Sequence, residues 1–189
     1  MKILTFGEIM LRLKTPENLR ILQAQDFEAS YGGAEANVAV SLAMMEDPVA
    51  FVTKLPDNPV GLAAHNEIRR FGVDTSGILK GGERLGIYYF EKGTNIRPTN
   101  VVYDRAYSSF AQADPEEFRW EELLKDVDIF YFSGVTPAVS DGIEKAVLEA
   151  LKYCKAHSIQ VVCDLNYRGK MWSTQKAQKV MKELMNYVT

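Results

Sequence analysis

The sequence predicts an α/β protein in which a mostly parallel sheet lies between helices and carries a smaller β-sheet as a lid. Short apolar runs rich in β-branched and aromatic residues alternate with longer stretches of helical period, which is the pattern of βαβ units. Two segments break that rhythm by alternating polar and apolar residues, as half-buried strands do. No repeat or low-complexity linker divides the 189 residues, so one domain is expected over 1–189, with 11–31 and 85–107 as inserted lid segments.

In chain order, Ile3–Phe6, Val49–Thr53, Ile129–Phe132 and Gln160–Cys163 are the expected central strands. Helices are expected at Glu35–Met45, Val60–Phe71 and Asp141–His157. The last has Ser140 as its N-cap and Ile143, Val147, Leu151 and Cys154 along one face. Leu11–Tyr31 and Leu85–Tyr107 suit antiparallel strands with one open face. Thr174–Thr189 shows a further amphipathic helix through Ala177, Val180, Met181, Leu184 and Tyr187. A fold of this kind would next place a strand, so the C-terminal part of the sheet is expected to be missing.

Composition narrows the functions. With 47% hydrophobic and 25% charged residues the chain can bury an ordinary core without disulfides or a structural metal. A net charge of −3 offers no basic face to nucleic acid or anionic lipid. Cys154 and Cys163 fall in apolar segments and are expected as reduced core thiols. His65 and His157 have no ligand-spaced neighbours, so no metal site is expected. No signal peptide or run of 18 apolar residues is present, and a cytoplasmic protein away from the membrane is expected.

The most informative stretch is Tyr31-Gly32-Gly33-Ala34-Glu35-Ala36-Asn37-Val38-Ala39. Two glycines before a helix of small residues let backbone approach a ligand, and free N–H groups at the helix start can meet an oxygen-rich one. Asn37, one turn in, offers both donor and acceptor to a sugar hydroxyl. The same glycines and alanines also suit a tight turn with close helix–sheet packing.

This run, after an N-terminal ILTFGE strand, resembles the first signature of the ribokinase/PfkB carbohydrate kinases. Phe71-Gly72-Val73-Asp74-Thr75 is similar to that family's GVDT segment. Lys54-Leu55-Pro56-Asp57-Asn58-Pro59-Val60-Gly61 resembles its G-x-D-x-x-G turn, with Leu55 and Pro56 standing near the usual glycine. The resemblance implies a ribokinase-like fold and ATP with Mg²⁺ as cofactors.

Two features point within the family toward 2-keto-3-deoxygluconate kinases. In Val101-Val102-Tyr103-Asp104-Arg105, strand period puts Tyr103 and Arg105 on one face, with Tyr88 on the neighbouring lid strand. A guanidinium suits a carboxylate and a phenol a hydroxyl, so this face suits a sugar acid; the plain alternative is a solvated strand. Asp164-Leu165-Asn166-Tyr167-Arg168-Gly169-Lys170-Met171-Trp172 resembles the family's D-x-N-x-R-x-x-x-W segment. The resemblance implies that Arg168 sits between sugar acid and transferred phosphate, with Asp164 and Asn166 toward the nucleotide; an Asx-type turn capping a strand is the alternative. Ser133-Gly134, ending another strand, is expected to line the sugar pocket through its backbone.

The family's D-T-x-G-A-G-D motif, which carries the catalytic base and anion hole, does not occur in these residues, nor does the N-x-x-E associated with magnesium. The expected activity is ATP-dependent phosphorylation of 2-keto-3-deoxygluconate, with Gly32, Gly33, Ala34, Asn37, Tyr88, Tyr103, Arg105 and Arg168 holding the sugar acid and the base outside this chain. A fructokinase, ribokinase or nucleoside kinase is the nearest alternative, and a non-catalytic sugar-binding or oligomer-forming fragment is another. A lid with unpaired edges is expected to pair with that of a second copy as a homodimer.

Overall fold

The computed structural model describes residues 1–189, and in it the expected central strands form one parallel sheet. In chain order the elements are β1 (Ile3–Phe6), β2 (Met10–Lys14), β3 (Glu28–Gly32), α1 (Ala34–Met44), β4 (Val49–Val52), β5 (Lys54–Leu55) and α2 (Pro59–Arg69). They continue with β6 (Leu79–Lys80), β7 (Ile87–Glu91), β8 (Asn100–Asp104), α3 (Trp120–Leu123), β9 (Ile129–Ser133), α4 (Asp141–Ala156), β10 (Gln160–Asp164) and α5 (Thr174–Leu184). The main sheet runs β10-β9-β1-β4, with Ile3 opposite Val49 on one side and Ile129 on the other.

Strand alternation sorts the core into two halves. Leu4, Phe6, Ala50, Val52, Phe130, Phe132 and Val161 turn to the side covered by α4 and α5. Ile3, Val49 and Phe51 turn to Ala36 and Ala39 of α1 and Ala64 and Ile68 of α2. The expected α4 face is fully buried, Ile143, Val147, Leu151 and Cys154 each at 0% exposure. Phe6 anchors the larger half, with Phe118, Trp120 and Phe110 edge-on at centroid distances of 4.9, 5.0 and 5.4 Å. Aromatic edges prefer such faces, which adds to the area they bury.

Side-chain caps set the starts of α2, α4 and α5. Ser140 accepts from the Ile143 N–H at 3.2 Å, as expected. The unusual KLPDNPVG turn works through Asn58, which accepts from Val60 and Gly61 N–H at 3.0 Å while Pro59 takes the first helical position. Gly61 has to be glycine there, because a methyl group would overlap the Pro56 carbonyl.

The lid is a second four-stranded sheet, β3-β2-β7-β8. It departs from expectation in one respect: the outer pairs are antiparallel, but the central pair, β2 with β7, is parallel. A parallel pair needs a long crossover, and the α1-β4-α2 unit between these strands supplies it. Most other boundaries differ from expectation by one or two residues. The C-terminal helix stops at Leu184 and tightens into a 3₁₀ turn at Met185–Tyr187. The short β5–β6 pair and α3 carry too few residues to show a period. No helix is long and apolar enough to cross a membrane.

Candidate functional site

The cleft between lid and main sheet opens at the carboxyl ends of the parallel strands, where open α/β sheets place ligands. From β1 the chain passes through Gly7, Glu8 and Ile9 into β2, so one strand connection ties the core to the lid. On the far side of β2, β3 ends in Gly32, and Gly33 leads into α1 with extended backbone and no side-chain cap. The first N–H groups of α1 are therefore free of a side-chain acceptor at the cleft. A methyl group at Gly33 would overlap the Glu8 carbonyl oxygen, so the close approach of β3 to the β1–β2 connection depends on glycine. A methyl at Gly32 would stand 3.5 Å from Asn37 Oδ1 and 3.6 Å from Tyr88 Oη, which shows how closely helix and lid converge there.

Glu35, in the same motif, is not a cleft residue. It is 1% exposed and anchors α1 to the end of β9: its Oε1 accepts from the Ser133 N–H at 3.1 Å, the Ser133 hydroxyl at 2.5 Å and the Thr136 hydroxyl at 2.8 Å. Burial pushes its carboxyl above the ordinary value, against the pull of these donors. This arrangement corrects the expectation for Ser133-Gly134. Both are buried, Ser133 serves Glu35, and Val135 lines the cleft in their place.

The lid's inner surface is a cross-strand row. Arg12 pairs in register with Ser30 and Tyr88, and Tyr88 pairs with Tyr103, the two rings 6.0 Å apart. Arg105, just past β8, extends the same face and already holds one carboxylate. Its Nη2 donates to Glu8 Oε2, and the Ser108 hydroxyl donates to Glu8 Oε1 at 2.5 Å.

The opposite wall is the loop after β10. Tyr167, Arg168, Gly169, Lys170 and Met171 line the cleft, and Lys170 donates to the Val101 carbonyl at 3.0 Å, joining this loop to the lid. Asp164 and Asn166 do not line it. Asp164 Oδ1 accepts from the Asn166 N–H at 3.1 Å, and Asn166 sits at φ 32°. This is the Asx turn that the spacing also allowed.

The cleft has a volume of about 560 Å³ and brings together Gly32, Gly33, Ala34, Asn37, Tyr88, Tyr103, Arg105 and Arg168. A larger cavity of about 840 Å³ adjoins it, sharing Val101, Tyr103, Arg105, Lys170 and Met171, but none of the residues of the glycine motif line it. Sequence reasoning missed Met10, Arg12 and Phe90; the strand period of β2 and β7 was the available signal for them. It also gave no role to Glu8, although Glu8 closes the ILTFGE stretch, because its partner Arg105 is distant in sequence. Arg12, Arg105, Arg168 and Lys170 make the wall cationic, and no Asp or Glu lines it. Arg168 is exposed and forms no ion pair, so it fits an anionic phosphate. A divalent ion is not accommodated in the same way, since no three His, Cys, Asp or Glu side chains come together.

A family model described as pfkB family carbohydrate kinase matches residues 1–189. The chain belongs to this family. It is similar to the solved 2-dehydro-3-deoxygluconokinase of Thermotoga maritima, at 49% identity and a TM-score of 0.97, covering 100% of this chain and 58% of that one. It is 38% identical to the 2-dehydro-3-deoxygalactonokinase of Haloferax volcanii, over 97% of this chain and 57% of the relative. It is 27% identical to the 5-dehydro-2-deoxygluconokinase of Bacillus subtilis, over 97% of this chain and 56% of the relative. The chain thus spans somewhat more than half the length of these pfkB family relatives.

Proposed function

We propose that the protein phosphorylates a sugar acid with ATP, specifically 2-keto-3-deoxygluconate to its 6-phosphate, and that these residues supply the substrate side of the site. The observation that carries this reading is a cleft walled by four cationic side chains and no acidic one, under a lid that presents two tyrosines. Cations suit a carboxylate, and Tyr88, Tyr103 and Asn37 suit hydroxyls. The names of the Thermotoga and Haloferax relatives, both kinases of dehydro-deoxy sugar acids, support the same substrate class.

In this reading Gly32, Gly33 and Ala34 bring backbone to the sugar, and Arg168 meets the phosphate being transferred. Asp164 and Asn166 lie on the nucleotide side of the same loop. ATP would supply the phosphoryl group and Mg²⁺ would arrive with it. The catalytic base is assigned outside residues 1–189, because the G-A-G-D motif does not occur among them. The lid's free edges, β3 and β8, with Val102 at 47% exposure, support pairing of two copies as a homodimer. Two unpaired cysteines suit the reducing cytoplasm.

The test is a coupled ADP-release assay with Mg²⁺, comparing 2-keto-3-deoxygluconate with fructose. The whole protein is expected to prefer the acid, and residues 1–189 alone are expected to release no ADP. Equal turnover of the two sugars would overturn the substrate assignment. Turnover by residues 1–189 alone would put the base among them, with Asp164 the first candidate.

A further inference from the structure

The segment 167–171, between β10 and α5, is fastened at both ends to the core and in its middle to the lid. Before it, the Asp164 carbonyl accepts from the Gly134 N–H at 2.8 Å, and the Asp164–Asn166 turn follows. After it, Trp172 is 7% exposed and packs in the larger core half, and Ser173 caps α5 by accepting from the Lys176 N–H at 3.1 Å. Between these anchors Arg168 opens a tight turn, closed by the Met171 N–H on the Arg168 carbonyl at 2.9 Å. Residues 167–170 are exposed.

Every hydrogen bond that 167–171 makes outside itself goes to the end of the lid. Lys170 Nζ donates to the Val101 carbonyl at 3.0 Å, and Arg105 Nη1 donates to Met171 Sδ at 3.5 Å. A thioether is a weak acceptor, so Lys170 provides most of the hold. Its acceptor belongs to β8, an edge strand of the lid, where a row of backbone groups faces away from the sheet. The ammonium strengthens this bond, yet the bond is exposed, so water replaces it at small cost when the two parts separate. A charged donor on a flexible stem, holding an exposed carbonyl, has the properties of a latch.

Resting on the reading that Arg168 meets the transferred phosphate, we infer that Lys170 is a positioning residue that ties the Arg168 turn to the lid. With the lid seated, Val101 holds the turn and Arg168 stands at the cleft; when the lid lifts, the turn loses the hold of Lys170. The phosphate contact is thereby completed in step with the cover that keeps water from the sugar.

The test compares Lys170→Met, which keeps the apolar stem without the donor, with Lys170→Arg, which keeps a charged donor. In the substrate-free protein, backbone hydrogen exchange of 167–171 should speed about two- to tenfold in Lys170→Met, the range for one hydrogen bond, while β9 exchanges as in wild type. In the coupled ADP-release assay of the whole protein with 2-keto-3-deoxygluconate, ATP and Mg²⁺, Lys170→Met should lose about ten- to a hundredfold in kcat, the usual cost of a misplaced group. Its Kd for the sugar acid, titrated without ATP, should change by less than about twofold, and Lys170→Arg should recover most of kcat. A loss of kcat with unchanged exchange of 167–171 would mean that Lys170 itself meets the phosphate, and would overturn the inference. An unchanged kcat, a parallel loss of sugar-acid binding, or an arginine variant as slow as the methionine one would overturn it too. Arg168→Gln is the control for the reading beneath: it should cost at least as much kcat as Lys170→Met. An Arg168→Gln variant as fast as wild type would overturn the phosphate role of Arg168 itself, and this inference with it.

Discussion

Glu35 of the glycine motif and Ser133 at the end of β9, 98 residues apart, are joined twice, by the Ser133 N–H and by its hydroxyl. This connection sets the start of α1 against the main sheet and so fixes where Gly33 and Asn37 stand in the cleft.

The connection gives a pH dependence. The Glu35 carboxyl lies above its ordinary value of 4.5, chiefly because of burial, so folding favours its protonated form. That contribution is fully present below the unfolded pKa and is lost as pH rises through the raised folded pKa. Glu35→Gln retains an acceptor for Ser133 and Thr136 but does not titrate. Urea unfolding from pH 4 to 8 should therefore show wild type losing stability relative to the variant as pH rises. A constant difference would mean that Glu35 is not shifted.

Gly33→Ala should destabilise the chain by about 1–3 kcal/mol, the usual cost of forcing a group into a packed site. The added methyl overlaps the Glu8 carbonyl, a backbone atom that cannot rotate aside. A urea midpoint equal to that of wild type would show that β3 can move away from the β1–β2 connection.

Arg105→Ala should weaken sugar-acid binding about ten- to a hundredfold, mainly by uncovering Glu8 toward the cleft. Breaking a largely buried pair by removing one partner should also cost about 3–5 kcal/mol of stability. The double substitution Glu8→Gln with Arg105→Gln removes both charges and should recover part of each loss. A double variant as impaired as Arg105→Ala would mean that Arg105 itself contacts the acid.

Cys154 and Cys163 should resist thiol reagents in the folded chain. Burial pushes both thiols up to about 12, with the charges of Asp164 and Glu35 adding to the effect at Cys163. At pH 8 such a thiol is about one part in 10⁴ thiolate, and thiolate is the reactive form. An Ellman titration should count both in urea and neither at early times in buffer; prompt labelling of Cys163 in buffer would contradict the raised value.

The main sheet, its helices and the Ser140 cap could be read from the sequence because their signals are local: a period, a cap or a glycine pair within a few residues. The eight residues proposed for the sugar side come from short local stretches, and they line one cleft. Tertiary structure alone decided how the charges are used. Glu8 and Arg105 are 97 residues apart, and nothing near either one predicts that they neutralise each other. The parallel pairing of β2 with β7 was equally hidden, since strand direction follows from the crossover between them and leaves no mark on alternation. Local period specifies which way a side chain points; its partner is set by how distant segments pack, and the strength of a charge in a cleft depends on that partner.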